Sequence, residues 1–206
     1  MKVRHSANIL IGDYQYAESL NEEVLHQLKF AANIGHTNVK ASIHTVWNWL
    51  PDNQKVKNFK SFITSEIERN YSPGREIGGS HFPGEVISFW GNVYNKGDHA
   101  LSHDHKPSTY SFSYFVKAKW YDSPLVFDVG GEKIRPKEGR YIIFPSYLMH
   151  SVPKHRYNHN RITLSLVLLP GQRITIMIDS LRWASQSTLS LATIQHTIKI
   201  QMMSML

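Results

Sequence analysis

Two histidines stand one residue apart at the start of a strand-like run. His103 and His105 occur in SHDHKPSTYSFSYFVKA, where polar and apolar residues alternate. On an extended strand, residues i and i+2 project from the same face, so both imidazoles can reach one ion. The pair predicts half of a metal site. Because the chain has no cysteine, its ligands must be imidazole, carboxylate or water.

A third ligand should come from a distant segment. His150 follows an apolar strand and a Pro-Ser turn in PKEGRYIIFPSYLMHSVP. A His-x-His pair with one remote histidine leaves about half of a six-coordinate shell open, the layout that a catalytic iron needs to bind a cosubstrate and dioxygen. We therefore expect His103, His105 and His150 to hold one ion.

The chain has 12 histidines, and most show no ligand pattern. We expect a structural or exposed role for six of them: His5, His26, His36, His44, His81 and His196. Three others flank the region and are expected to line the mouth of the site or face water: His99, His155 and His159. Asp104 is the only carboxylate near the pair, and alternation points it to the opposite face.

A cationic stripe is predicted in NRITLSLVLLPG. Alternation puts Arg161, Thr163 and Ser165 on one face of a strand. A guanidinium beside a hydroxyl is a bidentate anchor for a carboxylate. The alternative is an arginine at the start of a strand that faces solvent.

The elements that position these residues are two helices followed by many short strands. Apolar residues recur at helical spacing in two segments, YAESLNEEVLHQLKFAANIG and QKVKNFKSFITSEIERNY. In the first segment, Phe30 is the last residue of the predicted apolar face. From about Ser80 the composition changes to short runs rich in β-branched and aromatic residues, which are separated by Gly, Pro, Asp and Asn. We predict strands at Glu85–Tyr94, Thr109–Ala118, Pro124–Val129, Glu132–Arg135, Arg140–Pro145, His150–Pro153 and Arg161–Leu169. This order favours an α+β fold, mainly β, in which the helices support a barrel or sandwich.

Length and composition favour one globular domain. The chain has 206 residues, of which 41% are hydrophobic and 19% charged. We expect a helical N-terminal support over 1–79, a catalytic core over 80–170, and a C-terminal extension over 171–206 that shows no firm period. No stretch approaches the roughly 18 apolar residues of a membrane span, so we expect a cytoplasmic protein. The net charge of +7 is scattered, which argues against specific nucleic-acid binding, and the oligomeric state, including a homodimer, stays open.

Four stretches together resemble the iron(II)/2-oxoglutarate-dependent dioxygenases, specifically the small prolyl-4-hydroxylase-like group of bacteria and phages. They are FWGNVYNKGDHALSHDHKPSTYSFSYFVKA, SPLVFD, IRPKEGRYIIFPSYLMHSVP and NRITLSLVLL, within about Gly84 to Pro170. The order of Trp-x-Asn, His-x-His, Pro-x-x-Gly, Phe-Pro-Ser, His and Arg-x-Thr carries the resemblance.

This resemblance implies a double-stranded β-helix, or jelly roll, with Fe(II) held by the three histidines. It implies that Arg161, helped by Thr163, anchors the distal carboxylate of 2-oxoglutarate, and that Tyr114 and Asn92 also contact this cosubstrate. Such enzymes use dioxygen, convert 2-oxoglutarate to succinate and hydroxylate a C–H bond, here of an unidentified substrate such as a prolyl or other peptidyl residue. Substrate-binding loops are expected at Ser72–Pro83 and Lys119–Asp122.

The sequence departs from the family pattern at one position. Most of the superfamily has His-x-Asp, whereas His105 stands where the Asp would be. A neutral imidazole leaves the site one unit more positive, with effects on cosubstrate binding, iron affinity and redox potential. Halogenating relatives have Ala or Gly there, so halogenation is not predicted.

Three alternatives remain at this point. A cupin-type metal protein, or a dioxygenase that does not use 2-oxoglutarate, fits the Gly-x5-His-x-His run from Gly97 to His105 but lacks the Glu expected near Thr109 or Tyr110. A non-catalytic jelly-roll binding module leaves Arg161 unexplained. A nucleic-acid demethylase would carry a second Arg soon after the first, and the next one is Arg173.

Overall fold

The computed structural model describes residues 9–71 and 86–168. These residues belong to one compact unit, Met1–Gly171. The predicted extension over 171–206, the predicted substrate loop Ser72–Pro83, and His5, His81 and His196 lie outside the described residues. The division into a helical support over 1–79 and a core over 80–170 stays a prediction. Within the described ranges, neither helix has the length and apolar character needed to span a bilayer.

The first helix is α1 (Ala17–Leu28). Leu20, Val24 and Leu28 follow one another at intervals of four, so they form one buried face of the helix. The prediction that Phe30 continues this face is wrong. The helix ends at Leu28, and Phe30 lies beyond it with 75% of its surface exposed.

The second helix, α2 (Gln54–Tyr71), has the predicted bounds. It begins after Asn53, whose side-chain Oδ1 accepts the backbone N–H of Val56 at 3.1 Å. This bond satisfies a donor that the first turn of a helix leaves free. Its buried apolar face consists of Val56, Phe59, Ile63 and Ile67.

The strands form two antiparallel sheets. The larger sheet contains β1 (Leu10–Asp13), β3 (Ile43–His44), β4 (Val86–Tyr94), β6 (Tyr110–Lys117), β9 (Arg140–Pro145) and β11 (Arg161–Leu168). The smaller contains β2 (Val39–Lys40), β5 (His99–His103), β7 (Leu125–Phe127), β8 (Lys133–Ile134) and β10 (His150–Val152). The strand order is β1-β9-β6-β11-β4-β3 in the larger sheet and β2-β5-β10-β7-β8 in the smaller.

The larger sheet is buried on both faces. Its outer face packs against α1 and α2, and this core includes Ile162, Leu164 and Leu166 of β11. A second apolar core joins residues of the two sheets, including Phe115 of β6 and Phe127 of β7. Two helices over a mainly antiparallel β structure confirm the predicted α+β, mainly β class.

A short segment, residues 39–44, contributes one strand to each sheet. Val39–Lys40 pairs with β5 of the smaller sheet, and Ile43–His44 pairs with β4 of the larger sheet. Between them, Ser42 donates its backbone N–H and its hydroxyl to Asp98 Oδ2, at 2.8 and 2.5 Å. This segment therefore joins the two sheets at the side where the candidate site lies.

Candidate active site

Three histidines meet at the adjoining ends of two strands. His103 ends β5 and faces His150, the first residue of β10, as its direct cross-strand partner. His105 lies just beyond β5 in the following turn, where its backbone N–H donates to the Ser146 carbonyl at 2.9 Å. One ring nitrogen from each histidine lies within 4.8 Å of the others. We call His103, His105 and His150 the histidine triad.

Each ring of the triad is oriented by a hydrogen bond at Nδ1. His103 Nδ1 lies 2.7 Å from the Leu101 carbonyl, and His150 Nδ1 lies 2.8 Å from the Leu148 carbonyl. A carbonyl oxygen only accepts, so both Nδ1 atoms carry the hydrogen and Nε2 keeps the lone pair. An outer partner of this kind fixes the tautomer of a metal-binding histidine.

His105 is oriented by hydroxyls instead. Its Nδ1 lies 2.8 Å from Ser111 Oγ, and Ser111 Oγ lies 2.8 Å from Ser146 Oγ. On its other side, the ring packs against Trp90 with centroids 5.5 Å apart. The residue is therefore held by a short hydroxyl chain and an aromatic wall, although it lies outside any strand.

Two histidines of the triad are uncharged at neutral pH. Burial, together with the nearby His150 and His103, lowers the pKa of His105 to about 3. Burial and His103 lower the pKa of His150 to about 4. A neutral imidazole has the free lone pair that a metal ion requires, so His105 and His150 are suited to bind a cation without prior loss of a proton.

Arg161 shares a cavity of about 410 Å³ with the triad. It is only 1% exposed, and its guanidinium carbon lies 5.0 Å from the Tyr94 ring and 5.1 Å from the Phe115 ring. Among the described residues, its buried Nε and Nη1 have no hydrogen-bond partner. Burial lowers the pKa of Arg161 from its usual value, yet an arginine stays charged in proteins. An unpaired buried cation that lines a cavity is costly unless an anion binds it.

Polar side chains surround Arg161. Thr163 and Asn92 are paired across β11 and β4, and both are buried residues that line the cavity. Tyr94, also in the lining, is held protonated because burial raises its pKa to about 12. The cavity thus has hydroxyl and amide groups beside the cation.

The opposite wall of the cavity is aromatic. It includes Trp47 and Trp90, whose ring centroids are 4.5 Å apart, and Trp47 is 49% exposed. His36 and His44 complete this wall, and His44 Nδ1 bonds to Asn92 Oδ1 at 2.7 Å. None of these four residues was predicted to belong to a site. Trp90 and Tyr94 could have been found, since they alternate with Asn92 on one face of β4.

Two expectations about positions near the site differ from the structure. Tyr114 does not line the cavity. It packs among Tyr14 and Phe59 on the helix side of β6, and its hydroxyl donates to Asn21 Oδ1 at 2.8 Å. The Lys119–Asp122 loop does not border the cavity either.

Two flanking histidines also differ from expectation. His155 is buried with 1% exposure and neither it nor His159 lines the cavity. His159 instead bonds to Asp122 at 2.7 Å. These residues form a separate group.

The strands that carry His150 and Arg161 match a known family. Residues 132–166 match the family model described as "Putative 2OG-Fe(II) oxygenase". This match confirms the resemblance. The matched family is one of 2OG-Fe(II) oxygenases, and the matched residues include His150 and Arg161. No curated protein sequence is similar to the chain.

Solved structures of such oxygenases share the fold. A collagen prolyl hydroxylase of Paramecium Bursaria Chlorella virus-1, in complex with 2-oxoglutarate, superposes with a TM-score of 0.57 at 13% identity, covering 81% of this chain and 98% of that one. A Pseudomonas putida prolyl-4-hydroxylase gives 0.57 at 11% identity, with 80% and 93% covered. A 2OG-Fe(II) oxygenase family protein from Burkholderia pseudomallei gives 0.58 at 12% identity, with 78% and 84% covered.

The cavity residues fit the cofactors of this family. Three converging imidazoles suit a divalent transition metal, and the unpaired Arg161 guanidinium suits a carboxylate. The two groups border the same cavity. A dicarboxylate could therefore lie between the metal ligands and the cation.

Proposed function

We propose that this protein hydroxylates a C–H bond of an organic substrate while it converts 2-oxoglutarate and dioxygen to succinate and carbon dioxide. The histidine triad would hold Fe(II), and Arg161 would hold the distal carboxylate of 2-oxoglutarate. We further propose that the two sheets form the double-stranded β-helix of this enzyme family. Bound Fe(II) supplies the activation of dioxygen that this chemistry needs.

The observation that carries the proposal is the buried, unpaired guanidinium of Arg161. It borders the same cavity as the triad, and no anionic partner for its Nε and Nη1 atoms is found in the described part of the chain. A bound carboxylate would satisfy these donors with two charge-assisted hydrogen bonds. This requirement favours 2-oxoglutarate over the cupin and binding-module alternatives, neither of which needs such a cation.

The residues around Arg161 have distinct proposed roles. Thr163 and Tyr94 can each donate a hydroxyl hydrogen to a bound carboxylate. The side chain of Asn92 already accepts a hydrogen bond from His44 through Oδ1, which leaves its amide hydrogens directed elsewhere. We propose that Asn92 positions the cosubstrate through this amide.

The aromatic wall supports a ring-containing substrate. Trp47 is 49% exposed and packs against the buried Trp90, which in turn packs against His105 of the triad. A prolyl ring can pack on such indole faces, and we propose a prolyl or other peptidyl residue as the substrate. Two of the similar structures are named prolyl hydroxylases.

An assay of succinate formation tests the proposal. The protein, purified without oxygen and loaded with one equivalent of Fe(II), should form succinate from 2-oxoglutarate when air is admitted. Proline-rich peptides should increase the rate and gain the mass of one oxygen atom. Oxygen consumption without any need for 2-oxoglutarate would support the cupin alternative, and iron binding without turnover would contradict the enzyme proposal.

A further inference from the structure

A second group of metal-ligating side chains lies outside the cavity. Asp122, His155 and His159 each place one ligand atom within 4.8 Å of the other two. We call these residues the Asp122 cluster. Asp122 and His155 are buried, at 3% and 1% exposure, and the side chain of His159 is 25% exposed. None of the three lines the cavity of the histidine triad.

One nitrogen in this cluster has an unused lone pair. His155 Nε2 lies 2.8 Å from the backbone carbonyl of His159, so Nε2 carries the hydrogen. In the neutral ring the lone pair then lies on Nδ1. That Nδ1 is buried and finds no hydrogen-bond partner among the described residues. A carbonyl bond at one nitrogen and a bare lone pair at the other is the arrangement of a metal-ligating histidine.

The carboxylate of the cluster is also oriented. Asp122 Oδ2 accepts the backbone N–H of Lys119 at 2.8 Å, and Oδ1 lies 2.7 Å from His159 Nε2. Each carboxylate oxygen can accept more than one bond, so both retain acceptor capacity. A cation could take the place of the proton that His159 and Asp122 share.

We propose that the Asp122 cluster binds a divalent ion of the zinc class. Two imidazoles and one carboxylate without a thiolate are a known ligand set for such ions. The partly exposed side of His159 leaves room for a water as a fourth ligand.

The proposed ion would have a structural role. The cluster joins the turn at Lys119–Ser123 to the segment that leads into β11, whose first residue is Arg161. Two further hydrogen bonds tie this segment down, from His155 N–H to the Asp98 carbonyl at 2.8 Å and from Gly97 N–H to the His155 carbonyl at 2.7 Å. A bound ion would add a cross-link at this point, and it does not depend on the function proposed for the triad.

Zinc titration of the full chain tests this proposal. The H103A/H150A double variant lacks two ligands of the triad, and it should still bind one Zn²⁺ per chain, measured by calorimetry and by metal analysis after gel filtration. Adding His159→Gln should weaken that binding by at least about 100-fold, because the loss of a partner that only orients a ligand already costs about 10-fold to 100-fold. Adding His26→Gln, an exposed histidine on α1, should leave it unchanged.

Two results would overturn the zinc site. One is the absence of saturable zinc binding in the double variant, and the other is equal affinity with and without His159→Gln. Circular dichroism checks that each variant is folded. If the double variant does not fold, the same comparison is made in the unaltered chain, where two bound Zn²⁺ should fall to one with His159→Gln. Because these readouts do not use succinate, failure here is distinct from failure of the proposed oxygenase activity.

Discussion

The histidine triad and the Asp122 cluster offer similar ligand atoms in different surroundings. The triad borders a cavity of about 410 Å³ and contains no carboxylate. The Asp122 cluster lies away from that cavity and includes a buried carboxylate that already bonds to His159. The triad therefore faces a cavity that can supply further ligands, whereas the Asp122 cluster does not line that cavity.

The surroundings of each group determine which of its ligand atoms are free to bind a metal ion. In the triad, each Nδ1 has a hydrogen-bond partner outside the ring, so three lone pairs can serve one ion and the cavity supplies the remaining positions. In the Asp122 cluster, Asp122 bonds to the side chain of His159 and His155 Nε2 bonds to the His159 backbone carbonyl, so His155 Nδ1 is the nitrogen left without a partner among the described residues. Variants of each region should therefore affect different measurements.

The largest effect is expected from His150→Ala. This change removes a buried ligand from the triad, and the remaining pair cannot hold iron at three points. Iron bound per chain should fall close to zero and succinate formation should fall by more than about 100-fold. His26→Ala is the matched control on an exposed histidine. Normal turnover by the His150→Ala variant would contradict the assignment of His150 as a metal ligand.

Arg161→Ala should separate cosubstrate binding from iron binding within the cavity. Each charge-assisted hydrogen bond is worth about 1.5 to 3 kcal/mol, so the loss of two should raise the KM for 2-oxoglutarate by at least about 100-fold. Iron content should not change, because Arg161 does not belong to the triad. Arg156→Ala, which alters an exposed arginine nearby, should behave like the unaltered chain. Equal loss of iron and cosubstrate would contradict the role given to Arg161.

His105→Asp makes the triad more like the Asp122 cluster by adding a carboxylate. The shorter side chain cannot keep both the metal contact and the hydrogen bond to Ser111, which lies 2.8 Å from His105 Nδ1. We expect succinate formation to fall by about 10-fold. Ser111→Ala should give a smaller decrease, since it removes only the orienting bond. A rise in activity with His105→Asp would show that the imidazole is not adapted to this position.

The smallest effect concerns the pH dependence of stability. Burial lowers the pKa of His44 below its usual 6.5, against the opposing effect of its bond to Asn92. The unfolded chain therefore binds the proton more readily, and the free energy of unfolding decreases as the pH falls below about 6.5. In urea unfolding at pH 7 and pH 5, His44→Gln should reduce this loss by at most about 2 kcal/mol. Parallel pH profiles for the two proteins would contradict this assignment.

The sequence predicts those parts of the site that follow an alternating pattern. On β11 one face is polar and the other apolar, so Arg161 and Thr163 were placed together correctly on one face. On β6, Ser111 and Ser113 alternate with Phe112 and Tyr114, which places Tyr114 on the face opposite to Ser111, the partner of His105. Tyr114 was assigned to the cosubstrate through the family resemblance, and this alternation argues against that assignment.

Short strands and loops could not be predicted from the sequence, because they show no periodic pattern. Strands β2 and β3 have two residues each, too few to show a period, so the wall formed near His44 and Trp47 was not expected. The Asp122 cluster is assembled from two turns that are far apart in sequence. Its members come together through tertiary structure alone, and no local spacing indicates this.

The segment that contributes β2 and β3 has a consequence for the exposed edges of the two sheets. Val39–Lys40 covers the β5 edge of one sheet and Ile43–His44 covers the β4 edge of the other. An uncovered strand edge exposes backbone donors and acceptors that can pair with another molecule. Residues 39–44 therefore protect one edge of each sheet from edge-to-edge aggregation. Their removal would expose the unpaired backbone groups of β5 and β4 together.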